Sequence, residues 1–141
     1  MESKLKIKLY SVVIDCIDPC RLAEFYAELI GWETVFSDAE YAVIGAPGSR
    51  QGAYPGITFQ YNPDYERPVW PEKSGTQQQM EHLDFAVDDL EGAVRHAVDC
   101  GATIAAEQFS EHWRVMLDPE GHPFCLCEMK HILDSVDCRL M

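Results

Sequence analysis

The chain is predicted to fold as an α+β protein of two tandem βαβββ modules, a cavity-enclosing mixed sheet with flanking helices. Three observations predict it. Residues 14–31 and 84–101 match at a shift of 70 positions, which pairs Asp18 with Asp88, Ala23 with Ala93, Ala27 with Ala97, Ile30 with Cys100 and Gly31 with Gly101. Each copy reads as a strand, a capping aspartate, an amphipathic helix and a glycine stop. After each glycine come three short runs rich in β-branched and aromatic residues, divided by turn residues.

The elements follow in order. Val12-Val13-Ile14 is a β-branched run, and Asp18-Pro19 starts a helix because Pro in the first turn lacks only an N–H that would be unpaired there. Leu22, Phe25, Tyr26, Leu29 and Ile30 form one stripe, and Gly31 ends it. Strands are expected at Trp32–Phe36, Tyr41–Gly45 and Ile57–Tyr61. In the second copy Leu83, Phe85 and Val87 alternate, and Asp88 or Asp89 caps. Leu90, Ala93, Val94, Ala97 and Val98 make the stripe before Gly101. Strands are expected at Ala102–Ala106, Trp113–Leu117 and Phe124–Glu128. Each helix covers one face of its sheet, so the other faces meet each other or a partner and bound a ligand cavity.

A chain of 141 residues, 47% hydrophobic, has the length of a single domain over 1–141. Module one is set at about 5–62, a crossover at about 63–79, module two at about 80–130 and a C-terminal tail at 131–141. The crossover holds Pro63, Pro68, Pro71, Gly75 and Gln77-Gln78-Gln79. Apolar runs fall short of the ~18 residues of a membrane span, and Met1-Glu2-Ser3-Lys4 leads into a strand, so a cytoplasmic, soluble protein without membrane partners is expected. Six cysteines without a C-x-x-C pair, Cys138 the last, read as reduced thiols. The net charge of −13 speaks against nucleic acid, whose phosphates need clustered cations, and permits a cationic ligand.

Strand alternation sorts side chains by face. Leu83, Phe85 and Val87 belong under a helix, which leaves His82, Asp84 and Ala86 facing the cavity. The same sorting sends Ser11, Val13, Asp15, Thr58, Gln60, Arg114, Met116, Cys125 and Cys127 to the cavity and turns Glu128 away with Phe124 and Leu126. Aromatic residues including Tyr54 and Trp70 read as core, pocket wall or subunit interface.

The runs DPCRLAEFYAELIGWE, MEHLDFAVDDLEGAVRHAVDCGA and WRVMLDPEGHPFCL, in this order, resemble the vicinal oxygen chelate superfamily of glyoxalases, extradiol dioxygenases and bleomycin-resistance proteins, and above all its small glyoxalase-like domains. The resemblance covers roughly residues 7 to 129. It implies four metal-ligand positions, which fall by spacing on Ser11 (Val12 by the repeat offset), on Gln60 or Thr58, on His82 and on Cys125. Among these His82 is the family's standard ligand type and Gln60 an admissible one, so the metal site is largely degenerate. His82, Gln60 and Cys125 are the metal candidates, and zinc suits His with Cys best.

The resemblance implies two functions. One is a lyase, isomerase or dioxygenase-type enzyme in which His82 is the general base, Asp84 orients it and Arg114 binds a substrate carboxylate or a developing oxyanion. The other is a bleomycin-resistance-like protein that sequesters a cationic aromatic drug without catalysis, for which the negative charge and Trp113 before D-P-E-G speak. A small-molecule ligand and an isologous homodimer are expected in both cases.

Overall fold

The computed structural model describes residues 5–48 and 55–131; Met1–Lys4, Tyr54, Cys138 and tail residues 132–141 lie outside it. The element order is β1 (Ser11–Cys16), α1 (Pro19–Ile30), β2 (Glu33–Ser37), β3 (Tyr41–Gly45), β4 (Gly56–Tyr61), β5 (Leu83–Val87), α2 (Leu90–Cys100), β6 (Thr103–Ile104), β7 (Trp113–Leu117) and β8 (Pro123–Glu128). βαβββ therefore occurs twice. Two compact units result, the first ending at Tyr65 and the second starting at Glu66.

Each unit carries a four-stranded mixed sheet of the same topology, β1-β4-β3-β2 in the first and β5-β8-β7-β6 in the second. The first strand of each module runs parallel to the last, and the remaining pairs are antiparallel. The parallel pair requires a crossover longer than a hairpin, and the helix supplies part of it.

Asp18 caps α1 by accepting from the Arg21 N–H at 3.2 Å, and Asp89 caps α2 by accepting from the Gly92 N–H at 3.1 Å. The second cap is thus Asp89. The caps are 71 positions apart while the stops, Gly31 and Gly101, remain 70 apart, because α1 has 12 residues and α2 has 11. Aligned on the caps, Ser11 corresponds to His82.

The cores sit between each helix and one sheet face. In module one Leu22, Phe25 and Tyr26 are buried against Ala42, Ile44, Ile57 and Phe59, and the Tyr26 ring stacks on Phe59 at 5.3 Å. In module two Leu90, Val94 and Ala97 cover Phe124 and Leu126, and Phe85 meets Phe124 edge-on. Val98 departs from the expected stripe and stands 43% exposed.

β6 is shorter than the expected Ala102–Ala106. The Gln108 side chain accepts from the Val115 N–H at 2.8 Å and donates to the carbonyls of Val115 and Ala105, occupying the edge of β7 in place of more strand. The proline-rich stretch after Tyr65 packs within the second unit: Trp70 meets Phe109 edge-on, and Arg67 lies against Gly121, where a Cβ has no room.

Candidate functional site

Register fixes what each sheet presents on the face its helix leaves open, because directly paired residues point the same way. In module two Asp84 pairs with Cys125 and Ala86 with Cys127; across the next strand Cys125 pairs with Val115 and Cys127 with Trp113. The open face thus carries Asp84, Cys125, Cys127, Ala86, Val115 and Trp113. His82 precedes β5 by one residue, and its Nε2 lies 3.1 Å from Asp84 Oδ1.

His82, Asp84 and Cys125 converge: one donor atom from each lies within 4.8 Å of the others. The Cys125 thiol is raised from 9.0 to about 12, first by burial, then by the charge of Asp84, by Cys127 and by its own hydrogen bond to Asp84. Burial, followed by the Asp84 charge, raises Cys127 too. Asp84 therefore faces both the imidazole and the thiol. An imidazole nitrogen, a carboxylate oxygen and a sulfur are all atom types that ligate divalent ions. Among the described residues this is the one such group of His, Cys, Asp and Glu side chains.

Module one presents a different surface on the corresponding face. Ser11 pairs with Gly56, Val13 with Thr58 and Asp15 with Gln60. The hydroxyls of Ser11 and Thr58 share a hydrogen bond of 2.7 Å, and Ser11 also donates to the Gly56 carbonyl at 3.2 Å. Gln60 is exposed at the strand end, and beside it Asn62 donates to Asp15 at 3.1 Å. The hydroxyls satisfy each other rather than offering themselves to a cation.

Two expected cavity residues lie elsewhere. Arg114 pairs with Leu126 and Met116 with Phe124, so both are on the helix-covered face. Met116 is fully buried core. Arg114 donates to Glu91 of α2 at 2.9 Å and to the carbonyls of Ser110, Glu111 and Trp113, a clamp between helix and turn rather than a substrate anchor. The reason is the hairpin. Leu117 pairs with Pro123 across a five-residue connection, Asp118 to His122, and that length sets Val115 rather than Arg114 or Met116 beside Cys125. Buried Asp118 holds the turn, accepting from the backbone N–H groups of Glu120 and His122 and pairing with His122 Nδ1 at 2.8 Å.

Trp113 and Val115 are the open-face residues that strand alternation missed. Counting the hairpin length against the alternation of β8 would have found them. Glu128 pairs with Val87 on the side away from Cys125, in line with its expected direction.

Comparison with known proteins agrees with this architecture. Residues 11–127 match the model of the glyoxalase-like domain, and the chain belongs to that family, within the vicinal oxygen chelate superfamily. A glyoxalase/bleomycin resistance protein/dioxygenase family enzyme from Burkholderia phytofirmans PsJN is similar over 87% of this chain and 99% of its own, at 22% identity and a TM-score of 0.63. The trypanothione-dependent glyoxalase I of Leishmania major is similar over 96% of both chains, at 18% identity and a TM-score of 0.65. A glyoxalase-related enzyme from Fulvimarina pelagi follows at 16% identity and 0.60, over 86% of this chain and 87% of its own. At these identities the likeness is one of fold. No curated protein sequence matches. Among the described residues no helix is long and apolar enough to cross a membrane.

Proposed function

We propose that this glyoxalase-like protein binds a small oxygen-bearing molecule at the open face of module two through a divalent cation held by His82, Asp84 and Cys125. The convergence of those three donors within 4.8 Å carries the reading. A cation bound there supplies Lewis acidity, polarising an oxygen of the ligand. His82 offers its imidazole nitrogen, oriented by Asp84 at 3.1 Å. Cys125 gives up its proton as the cation enters, so affinity rises with pH. Trp113 and Val115 form an apolar wall beside the polar group. In this reading the whole chain, 1–141, works as one unit, with module one at about 5–62, the crossover at about 63–79 and module two at about 80–130. It acts as a cytoplasmic homodimer, where a reducing compartment keeps Cys125 a thiol.

Elemental analysis of protein purified without chelator or polyhistidine tag tests it. About one zinc per chain is expected. Absence of metal, together with no rise in melting temperature in excess zinc, would sink the reading.

A second reading, metal-free sequestration of a cationic aromatic compound, draws on the charge of −13 and on Trp113 at the open face. Titrating metal-stripped protein with a cationic aromatic glycopeptide should then give heat and a thermal shift; neither would remove it.

A further inference from the structure

Charge separates the oxygen donors that suit the His82, Asp84 and Cys125 group from those that do not. A cysteine ligates a metal as its thiolate, so with an ion bound Asp84 and Cys125 bring two negative charges and the imidazole of His82 none. A divalent ion is then neutralised by its own protein ligands. It remains a Lewis acid towards an oxygen lone pair, but no net charge is left to draw in an anion. The sheet supplies no second attraction. Beside the donor group the open face of module two carries Ala86, Cys127, Val115 and Trp113, and no Lys or Arg stands at those positions. Arg114 points to the helix-covered face and is engaged by Glu91 at 2.9 Å. Arg67 is laid along Gly121 in the β7–β8 turn, and Arg95 is on α2. At a net charge of −13 the chain as a whole also repels anions at low salt.

We infer that the ligand oxygen taken up at this group is uncharged, the carbonyl of an aldehyde, ketone or amide or the hydroxyl of an alcohol, in preference to a carboxylate or phosphate. The inference rests on the cation reading above and names the substrate class of the same site. It also gives Arg114 no part in recognising the ligand. Val115 and Trp113 suit the apolar body of such a molecule.

Benzamide and benzoate, alike in ring and shape and different by one charge, test it. Full-length, reduced, metal-stripped protein is loaded with Co²⁺, whose visible bands report a ligand joining its coordination shell. Benzamide should shift the bands saturably, and benzoate should need at least ~10-fold higher concentration. Ala86→Lys places a cation beside Cys127 at an exposed position of the same face. It should tighten benzoate by about 10-fold and leave benzamide unchanged. Bands unmoved by benzamide, or benzoate binding as tightly as benzamide to the wild-type protein, overturn the inference. So does a gap between the two that Ala86→Lys leaves as wide. Failure of Co²⁺ to bind saturably instead overturns the cation reading beneath it.

Discussion

The two modules differ less in backbone than in what the same backbone positions carry. Register aligns Ser11 with His82, Val13 with Asp84, Thr58 with Cys125 and Gln60 with Cys127. In the neighbouring strands it aligns Val43 with Val115 and Tyr41 with Trp113. The aromatic and aliphatic wall is thus alike in both modules. The polar positions are not. In module one the two hydroxyls close on each other at 2.7 Å, whereas in module two an imidazole, a carboxylate and a thiol converge at one strand pair. One scaffold therefore yields a self-satisfied hydroxyl pair in module one and a convergent His, Asp and Cys group in module two.

Matched substitutions at the equivalent positions Ser11 and His82 give the largest expected effect. His82→Ala should weaken zinc binding by ~100-fold or more, about 2.7 kcal/mol, since losing a ligand exceeds the loss of an outer partner. Its melting temperature should hardly move, because the side chain is 38% exposed. Ser11→Ala should lower stability by about 1 kcal/mol through the lost hydroxyl bond and leave zinc affinity unchanged. Calorimetric zinc titration checks both. A comparable loss of affinity in Ser11→Ala would mean that the modules share the ion, and the contrast between them would fail.

Thiol reactivity sharpens the contrast at the second pair, Thr58 and Cys125. With its pKa raised from 9.0 to about 12, Cys125 holds roughly a thousandfold less thiolate near neutral pH than an ordinary thiol. The greater nucleophilicity of a more basic thiolate returns part of this, leaving alkylation about 30-fold slower than that of glutathione. The rate should climb with pH towards about 12, measured by iodoacetamide labelling and mass spectrometry. The fold favours the protonated thiol, so this stabilisation is complete below the unfolded value of 9.0 and is lost as pH rises through about 12. Cys125→Thr, the residue of module one, should remove that part of the alkaline dependence. Alkylation at the glutathione rate would show that neither burial nor Asp84 acts on the thiol.

The sequence made the scaffold legible because it is written in short-range signals. Asp18-Pro19, Gly31 and Gly101, the helical stripes and the alternation of Leu83, Phe85 and Val87 each act within a few residues. The His82–Asp84 pair was legible for the same reason, being two residues apart on one face. What escaped depended on pairing between strands. In residues 113–117 Trp113, Val115 and Leu117 alternate with Arg114 and Met116, and the one charged side chain points alternation the wrong way. Only the five-residue turn from Asp118 to His122 decides their direction, and it sends Arg114 to Glu91. The truncation of β6 escaped likewise, since a glutamine side chain standing in for a strand leaves no periodic trace.

The smallest effects should come from the two helix stops, where the modules look most alike. Gly31 has φ 71° and ψ 28°, in the left-handed well, with nothing near the position of a Cβ. Alanine there should destabilise by about 1 kcal/mol, from backbone preference alone. Gly101 has φ 123° and ψ 6°, well away from that well, while its N–H still bonds to the carbonyls of Ala97 and Val98. Alanine at this stop must either adopt a backbone that L-residues avoid or give up those bonds, so about 2 kcal/mol is expected. Urea denaturation of Gly31→Ala and Gly101→Ala compares them directly. Equal losses would imply that α2 relaxes to a left-handed stop once forced, and that its 11 residues against 12 reflect a soft helix end. Unequal losses would mean that the shorter helix is tied to a glycine-only turn, which keeps the Asp89 cap 71 positions from Asp18 and His82 level with Ser11.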